Sequence, residues 1–250
     1  MIIKNRVLNN VSSKRYTIKF AQSNQEVDEA LKLRYDVFKG ELERNFNFVK
    51  ERDKDKFDDQ AHHLIVMDNE SKRVVGTYRM QTYEQASQGN GFVSNKRFHL
   101  EQFPDHVLEN AVEVGRACVS KEHRNGRVLF LLWKGFAGYL THFKKRYLFG
   151  YSAFETKNLS VLKNTEHYLR DNGHYHPEYY IDVREGYRLP DQHNENGTDD
   201  VDIPSLLRNY LDVGCKICSR PSVDENQLSH CIILLDLETI SNRTRKLFFG

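Results

Sequence analysis

The sequence predicts an α+β fold, one domain built on a mixed sheet, and three observations predict it. Short alternating or β-branched runs recur at Tyr16 to Phe20, His63 to Met67, Val74 to Gln81, 111–119, Tyr147 to Phe154 and His230 to Leu237. Longer stretches with apolar residues three and four apart lie between several of them, which is the helical period. No repeat or low-complexity linker interrupts the 250 residues, and 39% hydrophobic with 12% aromatic content is enough for a substantial core.

Each element has its own signal. Ser23-Asn24-Gln25-Glu26 is a capping box, so a helix starts there and runs to about Gly40. Its apolar stripe is Val27, Ala30, Leu31 and Phe38, and Arg34 falls on that same stripe. Glu41 to Gln60 is dense in charge, carries Phe46, Phe48 and Phe57, and reads as a long ordered loop or lid. The next two strands form a hairpin through Asp68 to Lys72. On the second, Val75, Thr77 and Arg79 share a face. Leu100 to Leu108 reads as helical, broken by Pro104. The helix after Gly126 presents Leu129, Leu132, Trp133, Phe136 and Leu140 as a continuous core face. Asn158 to Asn172 is a helix closed by Gly173. Residues 174–200 have little periodicity, with an exposed loop from Gly186 to Asp200. Ile203 to Leu211 is a short helix with Pro204 near its start and Gly214 past its end.

Composition excludes several classes. A formal charge of +2 and a pI near 8.2 argue against a dedicated nucleic-acid binder. No run approaches the roughly 18–20 apolar residues of a membrane span. Met1-Ile2-Ile3-Lys4 lacks a signal-peptide core, so a cytoplasmic location is expected. Cys215-Lys216-Ile217-Cys218 has redox or zinc spacing but no second ligand pair at a suitable distance, and Cys118 and Cys231 sit in apolar runs. No metal site is expected. His62, His63, His174 and His176 read as packed or surface histidines.

The chemistry concentrates in Glu113-Val114-Gly115-Arg116-Ala117-Cys118-Val119, followed by Arg124-Asn125-Gly126-Arg127. An acid and a base inside an apolar strand are costly unless they have partners or a role. On a regular strand Glu113 and Arg116 face opposite sides; a bulge at Gly115 would aim both at one cavity. The basic, glycine-containing turn opening a helix is a place where free N–H groups favour an anion. With Arg34, Arg79, Asp55 and Asp58, the set suits a zwitterion: guanidinium forks take a carboxylate and acids take an ammonium. Glu113 could accept a proton from an attacking amine, directly or through water. Simple buried ion pairing and snorkelling arginines are the plainer alternatives.

These motifs resemble a known group. Leu33-Arg34-Tyr35-Asp36-Val37-Phe38, Asp55-Lys56-Phe57-Asp58-Asp59, Gly76-Thr77-Tyr78-Arg79, the 113–119 strand, Arg124-Asn125-Gly126, Trp133-Lys134-Gly135 and Leu148-Phe149-Gly150-Tyr151-Ser152 occur in the order found in GNAT-fold N-acyltransferases that make ornithine and related amino-acid lipids. Leu206 to Gly214 and Cys231 to Leu237 continue the likeness, which covers most of 16–248. Acyl-homoserine-lactone synthases are similar in the first half.

The resemblance implies a three-layer α/β/α arrangement with a splayed mixed sheet, spanning 1–250 as one domain, with 16–173 as acyl-donor and catalytic half and 174–250 as closing half. It implies an acyl thioester on the phosphopantetheine of an acyl carrier protein, its arm between the 111–119 and 147–154 strands, and an amino-acid acceptor such as ornithine, lysine or glycine. Arg124-Asn125-Gly126-Arg127-Val128 lacks the second glycine of coenzyme-A-using relatives, which makes acyl-coenzyme A the lesser donor. Catalytic roles then fall to Glu113 and Arg116, with Tyr151 as proton donor. Arg34, Asp55, Asp58 and Arg79 bind the acceptor, and Phe38 lines the acyl tunnel or supports the first-helix arginine. Cys118, Val119, Arg124, Gly126, Arg127 and Ser152 meet the donor, and Lys121, Arg124, Arg127 and Lys134 dock the acidic carrier. No permanently bound cofactor is implied. The basic-aromatic tail (Arg243, Arg245, Lys246, Leu247, Phe248, Phe249) either packs on the domain or touches the inner membrane face. The rival readings are an acyl-homoserine-lactone synthase using S-adenosylmethionine and a carrier-binding module without catalysis.

Overall fold

The computed structural model describes residues 11–41, 48, 50–154, 156, 158–189, 200–224 and 228–250. The elements run β1 (Val11–Ser12), β2 (Tyr16–Phe20), α1 (Asn24–Glu41), β3 (His62–Asp68), β4 (Val74–Thr82), α2 (Tyr83–Ser87), α3 (Asp105–Glu109), β5 (Ala111–Val119), α4 (Arg127–Phe143), β6 (Tyr147–Phe154), α5 (Leu159–Asp171), α6 (Ser205–Asp212), β7 (Lys216–Ile217), β8 (Ser222–Val223), β9 (Ser229–Asp236) and α7 (Asn242–Phe248). The α+β class expected from the sequence is what the chain adopts. The compact units do not divide at 173/174: one comprises 1–91, 112–145 and 245–250, the other 92–111 and 146–244. Phe46 and most of 186–200 lie outside the described residues.

In the first unit, β1 to β5 form an antiparallel meander, with Ile18 opposite Val66, Ile65 opposite Thr77 and Arg79 opposite Gly115. Side-chain alternation sorts its two faces. Ile65 packs with Ala30, Leu33 and Val37 of α1, while Tyr78 meets Phe136 of α4 edge-on at 4.6 Å. A helix therefore covers each face, and every residue of β4 is buried. Helix α1 starts where expected: Ser23 Oγ accepts the Glu26 N–H at 3.2 Å, and the Glu26 carboxylate reaches back to the Gln22 N–H at 2.7 Å. Two glycines set the approach of α4. A Cβ on Gly76 would stand 2.5 Å from Val128 Cγ1, and one on Gly135 would stand 2.5 Å from Leu64 Cδ2. The tail packs through Phe248, whose ring lies 5.5 Å from Phe130 and 5.6 Å from Trp133, while Leu247 is exposed.

In the second unit, β9 pairs antiparallel with β6 along its length, from Tyr147 opposite Asp236 to Phe154 opposite Ser229. Its other edge takes the short strands β7 and β8, which the sequence reading missed. Parallel bridges at Tyr175–Ile217 and Ile181–Ser219 tie part of the aperiodic 174–189 segment to that edge. Cys215 and Cys218 are buried and burial pushes both thiols well up, so they are inert core residues. Among the described residues no cluster of three or more His, Cys, Asp or Glu could hold a metal ion, and no helix is long and apolar enough to cross a membrane.

Candidate active site

Arg34 projects from α1 onto the β4 face of the sheet and is completely buried. Its Nε donates to Asp53 Oδ2 at 2.8 Å, and its two terminal nitrogens donate to the Asp58 carboxylate at 2.7 and 3.3 Å. Arg79, three residues from Gly76 on β4, donates from Nη1 to Asp55 at 2.6 Å and to Asp58 at 3.0 Å. Arg116 donates from Nη2 to Asp55 Oδ2 at 3.0 Å and stands 3.5 Å from Asp53 through Nε. The Asp55 N–H also donates to Asp58 Oδ2 at 2.8 Å. Burial pushes the Asp58 carboxyl up, but Arg34 and Arg79 outweigh it and hold the acid well below the usual carboxylate range. The same opposition, burial against Arg79 and Arg116, leaves Asp55 lowered.

This network corrects part of the sequence reading. Arg34 and Arg79 were expected to hold a substrate carboxylate; both guanidiniums are buried and already engaged by aspartates. Arg116 and Asp55 are the members that reach solvent, their side chains 21% and 27% exposed. Half-buried Phe38 packs against the core cluster that includes Leu33, Val37, Ile65 and Cys118. Asp53 was overlooked; the acid-dense 53–58 run was the available signal.

The parity change expected in β5 is present, one residue later than expected. Arg79 faces Gly115 while Thr77 faces Cys118, so β5 carries one extra residue in that interval. The left-handed residue is Arg116 (φ 54°), not Gly115. A non-glycine residue there costs about 1–2 kcal/mol, and the ion pairs of Arg116 with Asp53 and Asp55 offset it. The bulge brings Arg116 to the face that Glu113 and Gly115 share with Arg79 and Gln81. Glu113 is buried and accepts from Gln81 Nε2 at 2.6 Å. Gln81 continues the Val75, Thr77, Arg79 alternation, a signal that could have found it.

The residues assigned to the acyl donor belong to both units. The Cys118 side chain is buried, with Sγ 3.7 Å from the Leu33 carbonyl, so the thiol is core. Val119 is half-buried, and its carbonyl accepts from Arg124 Nε at 3.1 Å. Gly126 takes the left-handed φ of 80° that starts α4, and Asn125 Oδ1 accepts the Arg127 N–H at 3.1 Å. Lys121, Arg124 and Arg127 are exposed, while half-buried Lys134 lies over the Phe130 ring. Tyr151 and Ser152 belong to β6 of the second unit. There the Tyr151 ring lies under the Arg97 guanidinium at 5.2 Å and edge-on to His230 at 5.2 Å, and Ser152 is buried.

Residues 33–134 match the family described as acetyltransferase (GNAT) domain, a stretch that runs from the second half of α1 through the ion network and the bulged β5 to the first half of α4. The chain has the GNAT fold. An L-ornithine N(alpha)-acyltransferase of Brucella abortus is 28% identical over 243 residues, covering 90% of this chain and 86% of that protein. The protein of the same name from Rhodobacter capsulatus is 25% identical, covering 93% and 94%. Among solved structures, the AHL synthase LasI superposes on this chain with a TM-score of 0.55 at 11% identity, covering 95% and 96%. BjaI, a CoA-dependent acyl-homoserine lactone synthase with SAM and isopentyl-CoA, gives 0.54 at 13% identity, covering 90% and 80%. These structural likenesses bear on the GNAT fold alone.

Proposed function

We propose that this GNAT chain moves a fatty acyl group, 3-hydroxylated or not, from the phosphopantetheine thioester of an acyl carrier protein to the amino group of an amino acid, the first step of amino-acid-lipid synthesis. The observation that carries the reading is the bulge at Arg116, which sets Glu113 and Arg116 on one face beside partly exposed Asp55. The amine nitrogen attacks the thioester carbonyl and the C–S bond breaks. Glu113 takes the amine's proton, directly or through water, and returns it to the thiolate as that leaves. A thiol ionises near pKa ~8.5, so departure needs little assistance. The extra residue of the bulge takes one N–H out of the regular β4–β5 ladder, which supports a backbone donor for the oxyanion.

Carboxylate side chains in the cluster outnumber guanidiniums by one: Asp53, Asp55, Asp58 and Glu113 against Arg34, Arg79 and Arg116. That balance favours an acceptor with net positive charge, so a diamino acid is preferred over glycine. Arg116 takes the acceptor's carboxylate and Asp55 its side-chain ammonium. The sequence relatives named for ornithine favour this over the lactone-synthase reading. The single glycine at 126 and the exposed Lys121, Arg124 and Arg127 support an acidic carrier protein over coenzyme A. Glu113→Gln tests the mechanism: kcat should fall by about 10²–10⁴ at unchanged fold. Activity near wild type removes Glu113 as the base.

A further inference from the structure

Behind Glu113 lies a row of amides whose polarity is fixed from the backbone. Gln60 Oε1 accepts the Asn90 N–H at 2.7 Å, and Gln60 Nε2 donates to the Gly91 carbonyl at 3.0 Å. Neither backbone group can reverse its role, so the Gln60 amide has one orientation. Its Nε2 also donates to Gln81 Oε1 at 2.6 Å. With its oxygen taken, the Gln81 amide turns its NH2 to Glu113 and donates to Oε2 at 2.6 Å. All three side chains are buried. Gly89 leaves the room this requires, since a Cβ there would stand 2.3 Å from Gln60 Oε1.

We propose that Gln81, oriented by Gln60, is a positioning residue that holds the Glu113 carboxylate at the angle from which it receives the amine's proton. This rests on the reading of Glu113 as the proton acceptor. Gln81 presents a donor and never an acceptor to Oε2, so a proton gained by Glu113 sits on the side away from Gln81. The carboxylate then does not present its protonated edge to Gln81, and the proton stays where the thiolate can recover it. Sheet pairing explains why Gln81 can do this: it lies directly opposite Glu113 in the β4–β5 ladder. The Arg–Asp network fixes Arg116; the amide row fixes Glu113.

The experiment compares Gln81→Met in the wild-type and Glu113→Gln backgrounds, using the full chain, an acyl carrier protein thioester and ornithine, with product read by mass spectrometry. Methionine keeps the length of the side chain and removes the donor. In the wild type, kcat is expected to fall roughly 10–100-fold with both KM values unchanged, the cost of a misplaced catalytic group. In the Glu113→Gln background the same substitution should cost less than about twofold, because both changes strike one interaction. Equal losses in the two backgrounds, no loss in the wild type, or a rise in KM at constant kcat overturns the proposal. Full activity of Glu113→Gln alone would sink the base reading instead, and the same data set reveals it. If circular dichroism shows that Gln81→Met does not fold, Gln60→Glu replaces it. That change keeps the acceptor for the Asn90 N–H but presents an oxygen to Gln81, turning its NH2 away from Glu113, and the same non-additive loss of kcat is expected.

Discussion

Replacing Arg34 by methionine removes the charge at the centre of the Arg–Asp network while keeping an unbranched chain of similar length. Arg34 supplies three hydrogen bonds, one to Asp53 and two to Asp58. Asp58 would retain Arg79 at 3.0 Å and the Asp55 N–H at 2.8 Å. Asp53 would retain the ion pair with partly exposed Arg116 at 3.5 Å, so a buried carboxylate loses its principal partner. Removing one side of a buried pair costs about 3–5 kcal/mol, against a total stability of about 5–15 kcal/mol. With m near 2 kcal/mol/M, the urea midpoint should drop by about 1.5–2.5 M at pH 7.5. Arg52→Met is the control: its pair with Asp28 is on the surface, and its loss should cost about 1 kcal/mol or less. A shift for Arg34→Met no larger than for Arg52→Met would refute the claim that this network organises the fold around the site.

Two further outcomes are expected. Burial pulls His62 down to about 3 and His63 to about 4. The unfolded chain protonates these rings near pH ~6.5 and the folded one does not, so their stabilisation is complete above that pH and declines by up to ~1.4 kcal/mol per pH unit per ring as pH falls toward 4. The lowered Asp55 and Asp58 add a second decline below about pH 4, as the unfolded carboxyls protonate first. Urea midpoints at pH 7.5, 6 and 5 check this, and a flat series would contradict it. Gly135→Ala puts a methyl 2.5 Å from Leu64 Cδ2 and 2.9 Å from Ile18 Cδ1. Thermal melting should show a loss of about 1–3 kcal/mol from overpacking, although alanine is the better helix former; a stabilised variant would show that α4 can move off the sheet.

Local order was legible in the sequence because period and punctuation carried it. The capped start of α1, the 3.6-residue face of α4 and the strands β2 to β6 and β9 all stand where alternation and capping residues put them. The charge pattern likewise placed Arg34, Asp58, Arg79 and Arg116 together. What alternation could not give is who pairs with whom: Arg34 looked like a substrate ligand because nothing local shows that Asp53 and Asp58 fold back onto it. The bulge position was misjudged for a related reason. Glycine is the residue that enters left-handed backbone most cheaply, yet here Arg116 does so, held by aspartates from another segment. Gln60 was invisible because an amide in a polar run carries no period. The short strands β7 and β8 were missed because two residues give alternation nothing to show.

The most direct measurement is product identification by mass spectrometry after purified chain is given acyl carrier protein thioesters and acyl-coenzyme A in parallel, each with ornithine, lysine, glycine and S-adenosylmethionine. An N-acylated diamino acid formed from the carrier-bound acyl chain is the expected product. An acyl lactone made from S-adenosylmethionine, or binding of the carrier with no acyl chain consumed, would contradict it.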